Sequence, residues 1–353
     1  MEKYFGVLGA TGMVGRAVLA TLQALEKNKI LVGTRNPEKI SEDSGLTVIH
    51  VDINQSAELD EFCAQCRTVI NCIGPSTEVQ DKIAKACLRA NANYVDVSGD
   101  DQLSRLLAGY HEEFRSRELC CIHSSGVNPG LTEFVTGYLA REYHPTSIEI
   151  YFSGRGRISH NASIDMIMSC KSEATEGMSY LKDGVTKELL EFKFERQLPS
   201  PSGDVMCFPV INESFKRCIQ ELKIPCAYFY NTFASQQVML CMAEAKIKPT
   251  DTQGELFQLA EDLKGAFEAD AKKLDQEFTA IHVHLHQKEQ QINKSFLYNG
   301  NWNELTGIVG AVTGIGVDLG MVTRTGVGEI WNSLNYEWFL EKLLRKKGIL
   351  FQP

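Results

Sequence analysis

No apolar run in the 353 residues approaches the roughly 18 positions that a helix needs to cross a bilayer. The first residues do not follow the basic, apolar, then small-residue order of a secretory leader. Positive charge is not in excess either. Lys and Arg number 36 against 45 Asp and Glu, giving a formal charge of −9 with the two signs interleaved. Such a surface offers nothing to a phosphate backbone or an anionic membrane, so no nucleic acid and no membrane are expected as partners. These absences predict a cytoplasmic protein whose partner is a small molecule. A hydrophobic fraction of 43% and a charged fraction of 23% are ordinary for a globular chain, and the length suits two domains with their own cores.

Several metal and redox signatures are also missing. The eleven cysteines are scattered. Cys63-Ala-Gln-Cys66 has the CxxC spacing but no second pair, and Cys120-Cys121 alternates across a strand. Reduced core thiols are expected, not a zinc or redox site. His282, His284 and His286 share one face of a strand, but the first and third Cα atoms stand roughly 13 Å apart at about 3.3 Å per residue. A straight strand cannot bring all three to one ion, so no metal is expected and the face reads as solvated or interfacial. Gly307–Gly320 is glycine-rich and apolar, yet no P-loop lysine follows it. Its small residues would let a helix pack closely against another backbone or a cofactor.

What is present begins at the N-terminus. Tyr4-Phe5-Gly6-Val7-Leu8 reads as a buried strand, Gly9-Ala10-Thr11-Gly12-Met13-Val14-Gly15 breaks it, and a helix opens at Arg16. Gly9 permits the sharp turn, Gly12 lets a diphosphate approach the main chain, and Gly15 lets helix and strand pack closely. The unpaired N–H groups of the helix then face the anion. Gly9, Thr11, Gly12, Met13, Val14 and Gly15 are the expected cofactor contacts. A tight strand–helix turn with no ligand is the plain alternative.

Lys29–Gly33 is a second strand, ending in Thr34 and Arg35. An NAD site would place an acid about twenty residues past the glycines, to take the ribose 2′-hydroxyl. Arg35 stands there instead, and a guanidinium suits the 2′-phosphate of NADP(H). Leu46–Val51 is a third strand. Asp52 follows it, either at the adenine edge or as a helix N-cap. Thr68–Cys72 runs into Ile73-Gly74-Pro75, so Asn71, Gly74 and Pro75 should border the dinucleotide. A helix over Val79–Ala90, a strand over Asn93–Val97 and a strand over Leu119–His123 complete an alternation that predicts a parallel sheet. Asp96 lies within its strand, whereas Asp100 and His123 stand at strand ends, placed to face a nicotinamide or to make structural hydrogen bonds.

Beyond residue 127 the texture changes. Alternating strands are expected over 147–153, 189–195, 226–232, 278–286 and 292–298, with helices near 132–142, 163–182, 214–222, 234–246 and 254–274. The fold class is therefore α/β: a Rossmann-type parallel sheet with a second α+β domain built on a mostly antiparallel sheet. The expected boundaries are 1–126 for the dinucleotide-binding domain, 127–320 for the substrate and dimerisation domain, and 321–353 for a segment returning to the first. A homodimer is expected. Gly154-Arg155-Gly156-Arg157 places two guanidiniums after a strand, where they could hold a substrate carboxylate or simply form an exposed basic turn. His160 and Asn161 follow in the same loop.

Four stretches resemble the saccharopine dehydrogenase (reductase) family, of which carboxynorspermidine dehydrogenase is a relative. They are Gly9–Gly15; Asn71-Cys-Ile-Gly-Pro75 with Ala86-Cys87, Tyr94-Val-Asp96 and Ser98-Gly99-Asp100; Gly126-Val-Asn-Pro-Gly-Leu-Thr132; and the tail phrases Tyr180–Gly184, Thr325-Gly-Val327, Glu337–Leu340 and Lys347–Ile349. The family usually has Glu where Asp100 stands. The resemblance implies an NADP-binding oxidoreductase that reduces imines, with substrate contacts from the loop at Arg155–Asn161.

The residues point the same way. Ketone reductases of the short-chain type use Tyr-x-x-x-Lys to protonate the alkoxide, and none of the eleven tyrosines has lysine four positions later. A C=N bond can be protonated before reduction and depends less on a built-in acid. Arg155, Arg157 and Asn161 are the expected substrate contacts, and His123, Asp100 and His160 are the candidates for the proton relay. Reduction of a C=C bond on the same scaffold, and a non-enzymatic NADP(H) sensor, are the competing classes.

Overall fold

The computed structural model describes residues 3–25, 29–40, 46–272 and 276–352. Six strands open the chain: β1 (Tyr4–Leu8), β2 (Ile30–Thr34), β3 (Thr47–His50), β4 (Cys66–Asn71), β5 (Asn93–Asp96) and β6 (Cys120–His123). They alternate with helices that include Met13–Leu25, Ser56–Ala64, Lys82–Ala90 and Asp101–Ala108. Phe5, Val7, Leu8, Leu31, Val32, Val69, Ile70 and Val95 are all fully buried. Such runs are what a parallel sheet covered on both faces requires. The helix expected over 79–90 is broken: Gln80 takes φ of 52°, and the segment becomes Ser76–Val79 and Lys82–Ala90. Asp81 sits at the break, accepting a hydrogen bond from Tyr110 Oη at 2.8 Å and pairing with Lys85 at 3.0 Å.

Nine strands follow: β7 (Ser147–Arg155), β8 (Glu176–Gly177), β9 (Ser179–Lys182), β10 (Val185–Glu188), β11 (Glu195–Leu198), β12 (Gly203–Ile211), β13 (Cys226–Phe233), β14 (Phe278–Gln287) and β15 (Gln290–Tyr298). Near the end come β16 (Gly326–Glu329) and β17 (Ile349–Gln352). The first sheet has seven strands in the order β16-β6-β5-β4-β1-β2-β3, parallel throughout. Strand order reverses beside β1, and in such sheets the crevice lies outside the carboxyl ends of the strands at that reversal. The second sheet has ten strands, and among its pairings only β7 with β13 is parallel. The α/β class with a mostly antiparallel second sheet is therefore observed.

Two expectations in the second sheet are corrected. The helix expected over 163–182 is His160–Lys171 and stops there. The remainder is β8, β9 and the turn into β10, where Asp183 and Gly184 take φ of 51° and 74°. Asp-Gly between alternating segments is a hairpin turn. The strand expected over 189–195 forms only from Glu195. Phe192 instead stacks on Tyr230 at 5.4 Å between ring centroids, so its ring covers the sheet while its backbone stays unpaired in any ladder. The helix near 254–274 is observed as Gln253–Ala271, and positions 273 and 274 lie outside the described residues.

The chain divides into two compact units. One comprises Met1–Leu131 and Asn303–Leu343; the other comprises Thr132–Trp302 and Leu344–Pro353. The helix Trp302–Asp318 thus runs with the first unit, against an expected return at 321, and the last ten residues run with the second. The cause of the first difference is the glycine stripe. A Cβ on Gly307 would stand 2.5 Å from Ala17 Cβ and from Val14 O, one on Gly310 2.8 Å from Val97, and one on Gly314 2.7 Å from Ile70. Those glycines seat the helix against the helix Met13–Leu25 and the strands of the parallel sheet. The cause of the second is β17, which pairs antiparallel with β15. Among the described residues no helix is long and apolar enough to cross a membrane.

Candidate dinucleotide site

Gly9 ends β1 at φ of 80°, and a Cβ there would lie 2.7 Å from the carbonyl of Cys72. Only glycine fits a left-handed backbone pressed against the end of β4. Gly12 N–H donates to Gly9 O at 3.1 Å, closing the turn, and Arg16 N–H donates to Gly12 O at 3.0 Å, opening the helix. Gly15 is tighter still: its Cβ would stand 2.2 Å from Gly9 O. Gly12 meets nothing closer than 3.4 Å, so its outer side stays open. Thr11 and Val14 are half-buried and Met13 is exposed. A turn whose free face is glycine and whose next N–H groups start a helix is a cradle for a diphosphate, and a side chain at Gly9 or Gly15 would fill its footing.

Thr34 is buried at the end of β2, and its Oγ1 accepts the Asn36 N–H at 3.2 Å. Arg35 beside it is exposed. Asp52 forms a turn: its Oδ1 accepts the Asn54 N–H at 3.0 Å, and its own N–H donates to Glu58 Oε2 at 2.9 Å. The N-cap of the helix Ser56–Ala64 is Gln55, so Asp52 is not that cap. Asn71 ends β4. Its Nδ2 donates to Asp96 Oδ2 at 3.1 Å and its Oδ1 accepts the Ile73 N–H at 2.9 Å, which sets the path into Gly74 and cis Pro75.

The register of the sheet reveals a row that the sequence did not suggest. Asn71 pairs with Asp96 across β4 and β5, and His123 pairs with Glu329 across β6 and β16. With Val95 opposite Ile122, all four lie along the carboxyl edge of the sheet, and each is buried. Asp96 accepts from Tyr94 Oη and from Ser98 N–H at 2.8 Å, and burial pushes its carboxyl above the usual range. His123 Nδ1 lies 3.0 Å from Ser124 Oγ. Asp100 Oδ1 accepts the Leu103 N–H at 2.8 Å and caps the helix Asp101–Ala108. Glu329 joins the row from a strand 206 positions after His123, and only the parallel pairing of β16 could have announced it.

In the second unit, Arg155 is the last residue of β7 and is buried, not held on an exposed turn. Its Nη1 donates to Gly154 O at 2.7 Å, and its guanidinium lies 5.6 Å from the Phe278 ring centroid. Burial lowers its pKa from the ordinary value, and the Asp270 carboxylate opposes that shift. Arg157 is exposed. His160 and Asn161 begin the helix His160–Lys171. His160 Nδ1 lies 2.6 Å from Glu261 Oε1, and its ring stands edge-on to Phe257. The histidine run is not uniformly solvated, and His284 and His286 are only half-buried. His282 is fully buried, with Nε2 2.8 Å from Ser202 Oγ and Nδ1 2.8 Å from Ser295 Oγ. Among the described residues no group of three or more His, Cys, Asp or Glu side chains could hold a metal ion.

The parallel sheet with its glycine-spaced turn at the strand reversal defines the first unit as a dinucleotide-binding α/β domain. Residues 5–121 match the family of the saccharopine dehydrogenase NADP binding domain, and NADP(H) is the dinucleotide of this domain. The chain is similar to the saccharopine dehydrogenase-like oxidoreductase of Mus musculus, 33% identical over 117 residues, which is 33% of this chain and 26% of that one. It is also similar to the probable mitochondrial saccharopine dehydrogenase-like oxidoreductase of Arabidopsis thaliana, 23% identical over 170 residues, 42% of this chain and 37% of that one. These alignments span well under half the length of the curated relatives. Among solved structures, the apo saccharopine dehydrogenase (L-Glu forming) of Saccharomyces cerevisiae has the same fold, with a TM-score of 0.71 at 13% identity over 99% of each chain.

Proposed function

We propose that the protein is an NADPH-dependent oxidoreductase acting on CH–NH, reducing the C=N bond of an amino-acid-like or biosynthetic intermediate to a secondary amine. One observation carries the reading. Residues 5–121 match an NADP binding domain from saccharopine dehydrogenases, on a chain in which no tyrosine has lysine four positions later. When bound, the dinucleotide supplies a hydride to the imine carbon. The chain's own residues then have three tasks. The turn Gly9–Gly15 holds the diphosphate by backbone N–H groups, with Thr34 and Arg35 at the adenosine ribose and Asn71, Gly74 and Pro75 along the crevice. His123, in the buried row with Asp96 and Glu329, is the first candidate to hand a proton to nitrogen; Asp100 and His160 are the others. Arg155, Arg157 and Asn161 hold a substrate carboxylate. Reduction of an iminium asks for position more than for a strong acid, which fits a site whose catalytic set is small.

The test is a panel of imine, thiazoline and enoyl acceptors, read as loss of NADPH absorbance. Turnover of an imine is expected, and turnover of the enoyl acceptor alone would overturn the reading. That second outcome has an observation of its own. The helix Gln236–Ile247 exposes Leu240 by 63% and Ile247 by 83%, apolar surface that suits an acyl or lipid substrate. Binding without turnover of any acceptor would make the protein an NADP(H) sensor. The homodimer belongs to the same proposal, and light scattering should give twice the 39.4 kDa of one chain.

A further inference from the structure

A cavity of about 450 Å³ opens beside the glycine turn, bounded by Ala10 and Thr11 at one end. Arg16 and Gln23 line it from one face of the helix Met13–Leu25, and Lys39 lines it from the connection between β2 and β3. Apolar side chains, Ile40 and Leu46 among them, form the rest of its wall, and among the described residues no carboxylate lines it. Arg35, the residue the sequence offers for the 2′-phosphate, does not line it.

The backbone at both positions belongs to local structure. Lys39 ends the short helix Pro37–Lys39; its N–H donates to Asn36 O at 3.1 Å, and the next N–H donates to Pro37 O at 3.0 Å. Together with the Asn36 bond to Thr34 Oγ1, these turns tie Lys39 to the end of β2. Arg16 lies in the first turn of its helix, where the peptide dipoles present positive charge, and that turn contains no acidic residue. A cation at a helix N-terminus is unfavourable unless an anion sits beside it. Among the described residues no carboxylate pairs with Arg16 or Lys39.

We propose that Arg16 and Lys39, across this cavity, form the recognition site for the 2′-phosphate of NADP(H), and that this pair, not Arg35 alone, sets the preference for NADP(H) over NAD(H). The inference rests on the NADP(H) reading of the domain and adds the residues that discriminate. A dianion at the cavity mouth would meet one guanidinium and one ammonium from two separate elements. It would also complete the helix terminus that Arg16 otherwise leaves unfavourable.

Calorimetric titration of the full chain tests this without knowledge of the substrate. The probes are adenosine 2′,5′-bisphosphate against adenosine 5′-phosphate, and NADPH against NADH. Lys39→Ala and Arg16→Ala should each weaken the bisphosphate and NADPH by about tenfold, the loss of one charged hydrogen bond, and leave the 5′-phosphate and NADH unchanged. Both side chains are exposed, so thermal unfolding without ligand should match the wild type. If both variants keep the wild-type ratio of NADPH to NADH affinity, or if Arg35→Ala alone removes it, the proposal is overturned. A wild-type chain that does not distinguish the two dinucleotides would overturn the NADP(H) reading itself, and the two failures are thereby separate.

Discussion

His282 shows how one buried side chain sets a pH limit on this protein. Its ring lies between Ser202 and Ser295, and burial pushes its pKa down from 6.5 to about 4, with His284 adding to the shift. The neutral ring has one N–H and one lone pair, and two hydroxyls can satisfy both. Because the folded pKa lies below the unfolded one, the unfolded chain takes up the proton first. The contribution is complete above pH 6.5 and is lost as the pH falls toward 4, by up to about 3 kcal/mol. Urea unfolding of wild type and His282→Gln between pH 7.5 and 4.5 checks it. The variant should be less stable at pH 7.5 and show a shallower decline, and equal slopes would refute the assignment. Two glycines make a second pair of residue-scale expectations. Gly15→Ala would drive a Cβ to 2.2 Å from Gly9 O, backbone that cannot step aside. It should cost about 3 kcal/mol and abolish NADPH binding. Gly265, in the helix Gln253–Ala271, has nothing within 4 Å of its Cβ position. Gly265→Ala should raise stability by about 1 kcal/mol through helix propensity, and both values are read from the same denaturant titration.

At the scale of elements, the glycine-rich helix Trp302–Asp318 carries the sharpest expectation. Gly307 meets both Ala17 and the carbonyl of Val14, at the start of the helix that follows the glycine turn. Gly307→Ala should therefore lower the melting temperature and weaken NADPH together, whereas a cavity-forming substitution such as Ile308→Ala should lower the melting temperature with less effect on the cofactor. Parallel thermal and titration measurements separate the two. The glycine stripe was legible in the sequence as a close-packing helix, but not its partner, because small residues state how near a neighbour comes and not which neighbour it is. The strand, turn and helix over Tyr4–Leu25 were legible because each glycine has its own local reason. β9 and β10 carried an equally local signal in Asp183-Gly184, but the expected helix covered β9 and ended just before that turn. Over 189–195, aromatic alternation imitates a strand; Phe192 and Phe194 pack on each other edge-on instead, and periodicity alone cannot tell a paired backbone from an unpaired one. Glu329 beside His123 lay beyond local reasoning altogether, since its position depends on a pairing between distant segments.

Across the whole molecule the chain changes unit three times, after Leu131, after Trp302 and after Leu343. The family match ends at residue 121, inside β6, yet the sheet it describes is not complete there. β16 comes from residues 326–329 and covers the edge of β6 in register, Gly326 opposite Cys120 and Glu329 opposite His123. The helix Trp302–Asp318 supplies a buried face that includes Leu305, Val309 and Val312, all at most 1% exposed. A fragment ending at residue 131 would lack both and leave β6 as an open edge over an uncovered core, a template for aggregation. Such a fragment should be insoluble or fail to bind NADPH. Residues 1–131 joined directly to 303–343 should fold and bind it, because the two segments already meet: a Cβ on Gly126 would stand 3.3 Å from Thr306. Expressing both and titrating NADPH decides the matter. If the shorter fragment binds as tightly as the joined one, the returning segment is dispensable, and the cofactor domain ends where its family match does.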